Sequence, residues 1–337
     1  MIDPEILAHL PHKSAFSCFR IENQEFIEIE HLRIQNCWLM AVFAIDSKYI
    51  TLRDTTIIGS RNAFHAFGDK SHHFLLEGNH WTQDSSATRR MWREICWSAV
   101  KGYVTEGQRH EACPLEGENV GDYSHFNGAL FGSWNIIGSV VVRNNYIENA
   151  FNGIRMVAPR GKQYRGKRNL NVEIYGNRFS YIRDNPVEPE ATATNWWIHH
   201  NEIFNAHSWF SFDAVWGGEW YIFGNVGWFD ERPYFGCHNN PSCESCRADP
   251  DCNLAWSGKV LKYGTDGPYP VNPVYVFNNS WYLRSPIAAG GTTRQLHHWN
   301  NAIEFCKPKH PDDGICRVTN EPGRWDVEWC RSSSQAP

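Results

Sequence analysis

The chain lacks most of the features that would name a function quickly. Charge is scarce and nearly balanced: Asp, Glu, Lys and Arg make up 20% of its 337 residues, and the formal net charge is −5. A nucleic-acid partner calls for an excess of Lys and Arg, so none is expected. No apolar run reaches the ~18 residues that a spanning helix needs, so no membrane partner is expected either. The opening MIDPEILAHLPHK lacks the basic-then-apolar order of a secretory signal. Either the protein is intracellular or its signal has been removed, and the expectation is a secreted or periplasmic protein whose signal is absent from this chain. Helical periodicity is also nearly missing, with one helix expected around RRMWREICWSAV.

Aromatic residues are plentiful: 16 Trp, 13 Tyr and 19 Phe. Such rings fill cores and also offer platforms for sugars, and for any single one core packing is the default. The 11 Cys are an odd number, so at least one lies outside an intrachain pair. Cys237, Cys243, Cys246 and Cys252 fall together in CHNNPSCESCRADPDC beside His238. Local disulfides and a zinc site both remain open there.

What the sequence does have is a repeat. Short β-branched and aromatic stretches each end on a polar residue: FIEIEH, YITLRD, FLLEGN, VVVRNN, VEIYGN, WWIHHN, WYIFGN, VYVFNN and LHHWNN. The end positions are His31, Asp54, Asn79, Asn145, Asn177, Asn201, Asn225, Asn279 and Asn301, and five of the eight steps between them span 22 to 25 residues. A period near 24 with strand chemistry excludes helical repeats, and the Leu/Asn consensus of leucine-rich repeats is absent. One turn of a β-solenoid, three short strands and three corners, needs about this length. Asn side chains stacked at one corner would satisfy backbone groups otherwise orphaned there, so this column is read as structural. A second column follows at Asn62, Asn127, Asn152, Asn185 and Ser208.

The expected architecture is therefore all-β: a single right-handed parallel β-helix of about nine rungs with long turn insertions. Residues 1–20 form a lead-in or cap, 21–304 the β-helix and 305–337 a terminal cover. Insertions are expected at 82–126, 159–168 and 229–257, where turns build the walls of a binding face. An uncovered first rung would invite pairing with a second copy of the chain.

Alternation along the strand after the second column sends Arg155, Glu188, Glu190 and Asp213 outward, with Lys262 at a similar place. His65 takes the position of Arg155 one rung earlier. Stacked strands lie roughly 4.8 Å apart, so these charges share one patch. Three carboxylates so close need a proton or a cation between them. His125, His199, His200 and His207 are weaker candidates.

These rungs, the DNPVEPE stretch from Asp184 to Glu190, and the GGEWYIFGN and NPVYVFNN segments resemble the bacterial right-handed β-helix proteins of the pectate-lyase-like superfamily, over roughly residues 21–304. That superfamily holds lyases, hydrolases, epimerases, esterases and adhesins, so fold alone does not choose among them. The NTD, DD, HG and RIK set of polygalacturonases, the DPHD of alginate epimerases and the NGGE, KSS and RSG-like motifs of alginate and chondroitin lyases do not occur as sets.

The resemblance implies an acidic polysaccharide as substrate and calcium-assisted β-elimination as the reaction. Glu188, Glu190 and Asp213 would hold calcium; Lys262 would be the base and Arg155 the substrate clamp. His65, Arg160, Lys162, Arg165, His207 and Trp209 would bind the polymer. Two other functions fit the same residues. One is a glycoside hydrolase using a Glu/Asp carboxylate pair from this patch. The other is a carbohydrate-binding β-helix without turnover.

Overall fold

The computed structural model describes residues 17–93, 95, 97–101, 124–212, 215–229, 259–262, 273–283, 288–289, 296–305 and 317–318. The cysteine cluster at 237–252, Asp213 and nearly all of the expected terminal cover lie outside the described residues.

The described residues are mostly β, and their strands pair in parallel in three ladders, apart from Arg317–Val318, which pairs antiparallel with Ala302–Phe305. The first ladder begins with Ser17–Glu22, Met40–Ile45 and Asn62–Phe67. The second begins with Glu25–Glu30, Lys48–Arg53 and His72–Glu77. The third begins with Arg33–Gln35, Thr56–Ile58 and His80–Thr82. Each circuit visits the ladders in that order, so every strand pairs with its counterparts one circuit earlier and later. The long strand Val187–His199 serves the first ladder with its start and the second with its end.

Alternation explains the core. Leu52, Leu76, Val142, Ile174, Ile198, Ile222 and Val276 stack in register on the second ladder and are all buried. A parallel column of this kind stacks like on like, and every strand adds the same apolar surface to its neighbour.

The corner between the second and third ladders follows one rule. A left-handed residue comes first: Gly78, Asn144, Gly176, His200, Gly224, Asn278 and Asn300 all have φ between 52° and 64°. Gly and Asn tolerate that conformation best. A buried Asn follows, and its Oδ1 accepts from the backbone N–H and side-chain Nδ2 of the Asn one circuit before. The column runs Asn79, Asn145, Asn177, Asn201, Asn225, Asn279 and Asn301 at 2.8–3.0 Å between side chains. At its N-terminal end the expected register shifts by one: Thr55, not Asp54, meets Asn79, because Asp54 takes the left-handed place. In the second column Ala129 rather than Asn127 aligns with Asn62 and Asn152, since Phe131 pairs with both Phe64 and Ile154.

Between the third and first ladders, the described residues of 83–130 include two single-turn helices, α1 (Arg90–Arg93) and α2 (Trp97–Val100), and a 3-10 turn at Ser124–Phe126, where one helix is expected. Met91, Ile95 and Val100 pack with Phe126 and Phe151, while Trp92 packs with Tyr181 and Phe229. These contacts lay the segment over the ends of third-ladder strands and bring Lys101 to the first ladder. A Cys18–Cys37 disulfide ties the first circuit together. No helix among the described residues is long and apolar enough to cross a membrane.

Candidate functional site

The outward face of the first ladder carries Phe43, His65, Gly132, Arg155 and Glu188 in one register column. Val187 pairs with Phe210 and Ser211 with Lys262, which continues the column through Ser211 to Lys262. Glu190 stands two residues beyond Glu188, opposite Val157. Arg155, Glu188, Glu190 and Lys262 thus share one strand face.

Two cations stitch the carboxylates together. The Arg155 guanidinium donates to Glu190 Oε1 through Nε at 2.9 Å and Nη2 at 2.5 Å. Its Nε also lies 3.2 Å from Glu188 Oε2. Lys101 Nζ, brought by the segment after α2, sits 2.5 Å from Asp184 Oδ2 and 3.6 Å from Glu188 Oε1. The result is an alternating chain of charges: Asp184, Lys101, Glu188, Arg155, Glu190. Its two ends differ in access. Asp184 is fully buried and Glu188 is 4% exposed, whereas the Arg155 and Glu190 side chains are 25% and 29% exposed.

That gradient sets the protonation states. Burial pushes the Glu188 carboxyl up, and the Asp184 charge adds to the push, outweighing Lys101, Arg155 and Lys262. Burial would raise Asp184 too, but Lys101, Lys262 and His207 together hold it below the usual carboxylate range. Lys101 would be lowered by burial, yet Asp184 and Glu188 keep it above its ordinary value. His65 is brought down to about 3 by burial and by the charges of Arg61 and Arg155. Its imidazole is therefore neutral at ordinary pH, with a buried Nδ1 that makes no hydrogen bond. Two carboxyls side by side with opposite displacements is a pattern that suits acid–base work.

Arg155, Glu188 and Glu190 come together as the alternation predicts, and Lys262 and His207 act electrostatically on Asp184. Arg160 and Lys162 are exposed on the turn after Ile154–Val157. Arg165 lies over the Trp216 ring, 3.1 Å from its centroid. Trp209 is a correction: it is fully buried, close to Trp281 and Gly227, and offers no surface to a polymer. It stands at the corner where the chain enters the first ladder, and its ring turns into the core. Asp184 and Lys101 escaped the strand pattern. Asp184 precedes the strand, and Lys101 comes from an insertion without periodicity; the Asp184–Asn185 adjacency was the one available signal.

The described carboxylates do not fit a calcium site. Glu190 accepts from Arg155, and Glu188 is ion-paired to Arg155 and Lys101, whereas a hard cation needs six or more oxygens not so engaged. Among the described residues no three His, Cys, Asp or Glu side chains converge on one point, and Asp213 lies outside them. Glu188 and Glu190 are countered by Arg155 and Lys101.

No family model matches the chain, and no curated protein matches it. Among solved structures it is similar to PfbA, a surface adhesin of Streptococcus pneumoniae. The TM-score is 0.38 at 12% identity, covering 88% of this chain and 78% of that one. A likeness of that size bears on neither activity nor ligand.

Proposed function

We propose that the three ladders form one right-handed solenoid of about nine rungs, and that its first-ladder face hydrolyses glycosidic bonds of a polysaccharide. The observation that carries this reading is the Asp184–Lys101–Glu188–Arg155–Glu190 chain on an outward strand face. Outward side chains do nothing for the core, and burying ions costs several kcal/mol each unless something repays it. Glu188, pushed toward its protonated form, would give its proton to the glycosidic oxygen. Glu190, on the open side and oriented by Arg155, would activate water or attack the sugar. Asp184 would stay ionised and fix Lys101. The exposed Arg160 and Lys162 favour an anionic chain, and the Cys18–Cys37 disulfide fits a secreted or periplasmic setting.

A second reading is a carbohydrate-binding β-helix without turnover. It is favoured by the near-complete burial of Glu188 and by the pairing of each carboxylate with a cation. A panel of neutral and uronate polysaccharides, assayed for new reducing ends with and without a chelator, separates the two. The hydrolase reading expects chelator-insensitive release of saturated products, abolished in Glu188→Gln. Binding without any new ends supports the second reading. An unsaturated product that disappears with chelator would restore β-elimination.

A further inference from the structure

The outer face of the second ladder carries a groove remote in sequence register from the charge cluster. Glu28, Thr51, Leu75 and Val141 run in register along its floor. One wall is made by the rings of Phe26, Tyr49 and His73, with centroids 4.8 Å and 4.7 Å apart along the row. Arg143, on the other side of the floor, joins them in enclosing about 540 Å³. Phe26 is 74% exposed and Tyr49 40%. Further along the stack the floor column becomes Trp197, Tyr221 and Tyr275, so large rings occupy the place where the first circuits leave a hollow.

The ring wall is not something the backbone asks for. Phe26, Tyr49 and His73 are left-handed, at φ 58°, 56° and 58°. The same bend recurs in later circuits at Ser139, Asn171, Asn195 and Glu219, with φ from 53° to 58° and no ring. A bulky ring is a poor choice for this conformation, and Asn serves it better. Rings gathered at three successive poor positions, beside a floor without rings, point to what they contact.

The charge pattern narrows the occupant. Arg53 pairs with Glu28 and Glu30, and Arg143 with Glu77 at 2.8 Å. The guanidiniums are thus already neutralised and leave no net charge for an anion. The groove repeats at the strand spacing of about 4.8 Å, of the same order as the repeat of an extended glycan. It offers apolar ring edges together with the hydroxyls of Tyr49, Thr51 and Ser139. We infer that this groove binds an uncharged linear oligosaccharide lying along the stack. The inference goes beyond the hydrolase reading and does not depend on it.

Isothermal titration with cellohexaose, mannohexaose, xylohexaose and laminarihexaose, and with hexagalacturonate as the charged comparison, tests it. Val141→Trp fills the floor, and the chain already carries Trp197 in that column, so the fold accommodates the change. Tyr49→Ala removes the centre of the wall. Melting curves and circular dichroism confirm folding of both. The expected result is binding of at least one neutral hexasaccharide, weakened at least tenfold in each variant and unchanged in Glu188→Gln. Failure of all four neutral probes to bind overturns the inference. So does wild-type affinity in both groove variants, loss in Glu188→Gln, or binding of hexagalacturonate alone.

Discussion

Asn201 shows how much one side chain does here. Its Nδ2 donates to the Ile174 carbonyl at 2.9 Å and to Asn225 Oδ1 at 3.0 Å, while its Oδ1 accepts from the N–H of Asn177. Asn201→Ala leaves a buried carbonyl and a buried N–H unpaired, at about 1–3 kcal/mol each. The expected outcome is a fall of that order in the unfolding free energy read from urea titration. Glu202→Ala, at an exposed position outside the column, provides the comparison. His65 makes a second prediction. Its folded pKa of about 3 lies below the unfolded value near 6.5, so between these the unfolded chain binds the extra proton. Stability is therefore lost as pH falls through that window, by up to ~1.4 kcal/mol per pH unit. His65→Gln should flatten this dependence in urea titrations at pH 7, 5 and 4; an unchanged slope would refute the buried neutral imidazole. The Asn residues were legible because each closes a short β-branched or aromatic stretch beside a residue that accepts φ > 0. Asp184 was not, because its meaning comes from Lys101, 83 positions away in a segment with no period.

At the scale of elements, strand register was the most legible layer. Period-two alternation predicted that Arg155 stands beside Glu188, and it does. At Asp54 and Asn127 the corner lies one or two places further along, at Thr55 and Ala129, a shift that strand alternation cannot detect across a turn. The helical segment was legible as apolar but not in shape, since its form depends on packing over Phe151 and Tyr181. Lys101→Met tests the tie between this segment and the first ladder. It removes the ion-pair partner of the buried Asp184, and breaking a buried pair typically costs about 3–5 kcal/mol. The Asp184 pKa is depressed in the fold, so its stabilisation is present above the unfolded carboxylate value and lost as pH falls below it. Thermal melts should show Lys101→Met lowered strongly at pH 7 and less so in acid, where Asp184 accepts a proton. Reduction of Cys18–Cys37, which closes a 19-residue separation, should cost about 3 kcal/mol in the chain-entropy model and loosen the first circuit, read by hydrogen exchange at Ile21 and Ile34.

Across the whole molecule, the stack of parallel ladders gives the chain long faces with different chemistry. The first-ladder face concentrates buried charge, the second carries aromatic rings and a neutral groove, and the corner between second and third is held by the Asn column. The division was half legible: periodicity locates the faces, whereas the insertion that brings Lys101 to Asp184 and Glu188 shapes the charge on one of them. The central claim is that Glu188 is a proton donor on a glycan-cleaving face. The most direct test is the rate of reducing-end release from the best polysaccharide substrate, measured for the wild type and Glu188→Gln across pH 4 to 8. The account predicts a rate that falls on the alkaline side as Glu188 ionises, a loss of at least a thousandfold in Glu188→Gln, and an unchanged melting temperature. A Glu188→Gln variant that cleaves at the wild-type rate with the same pH profile would contradict it.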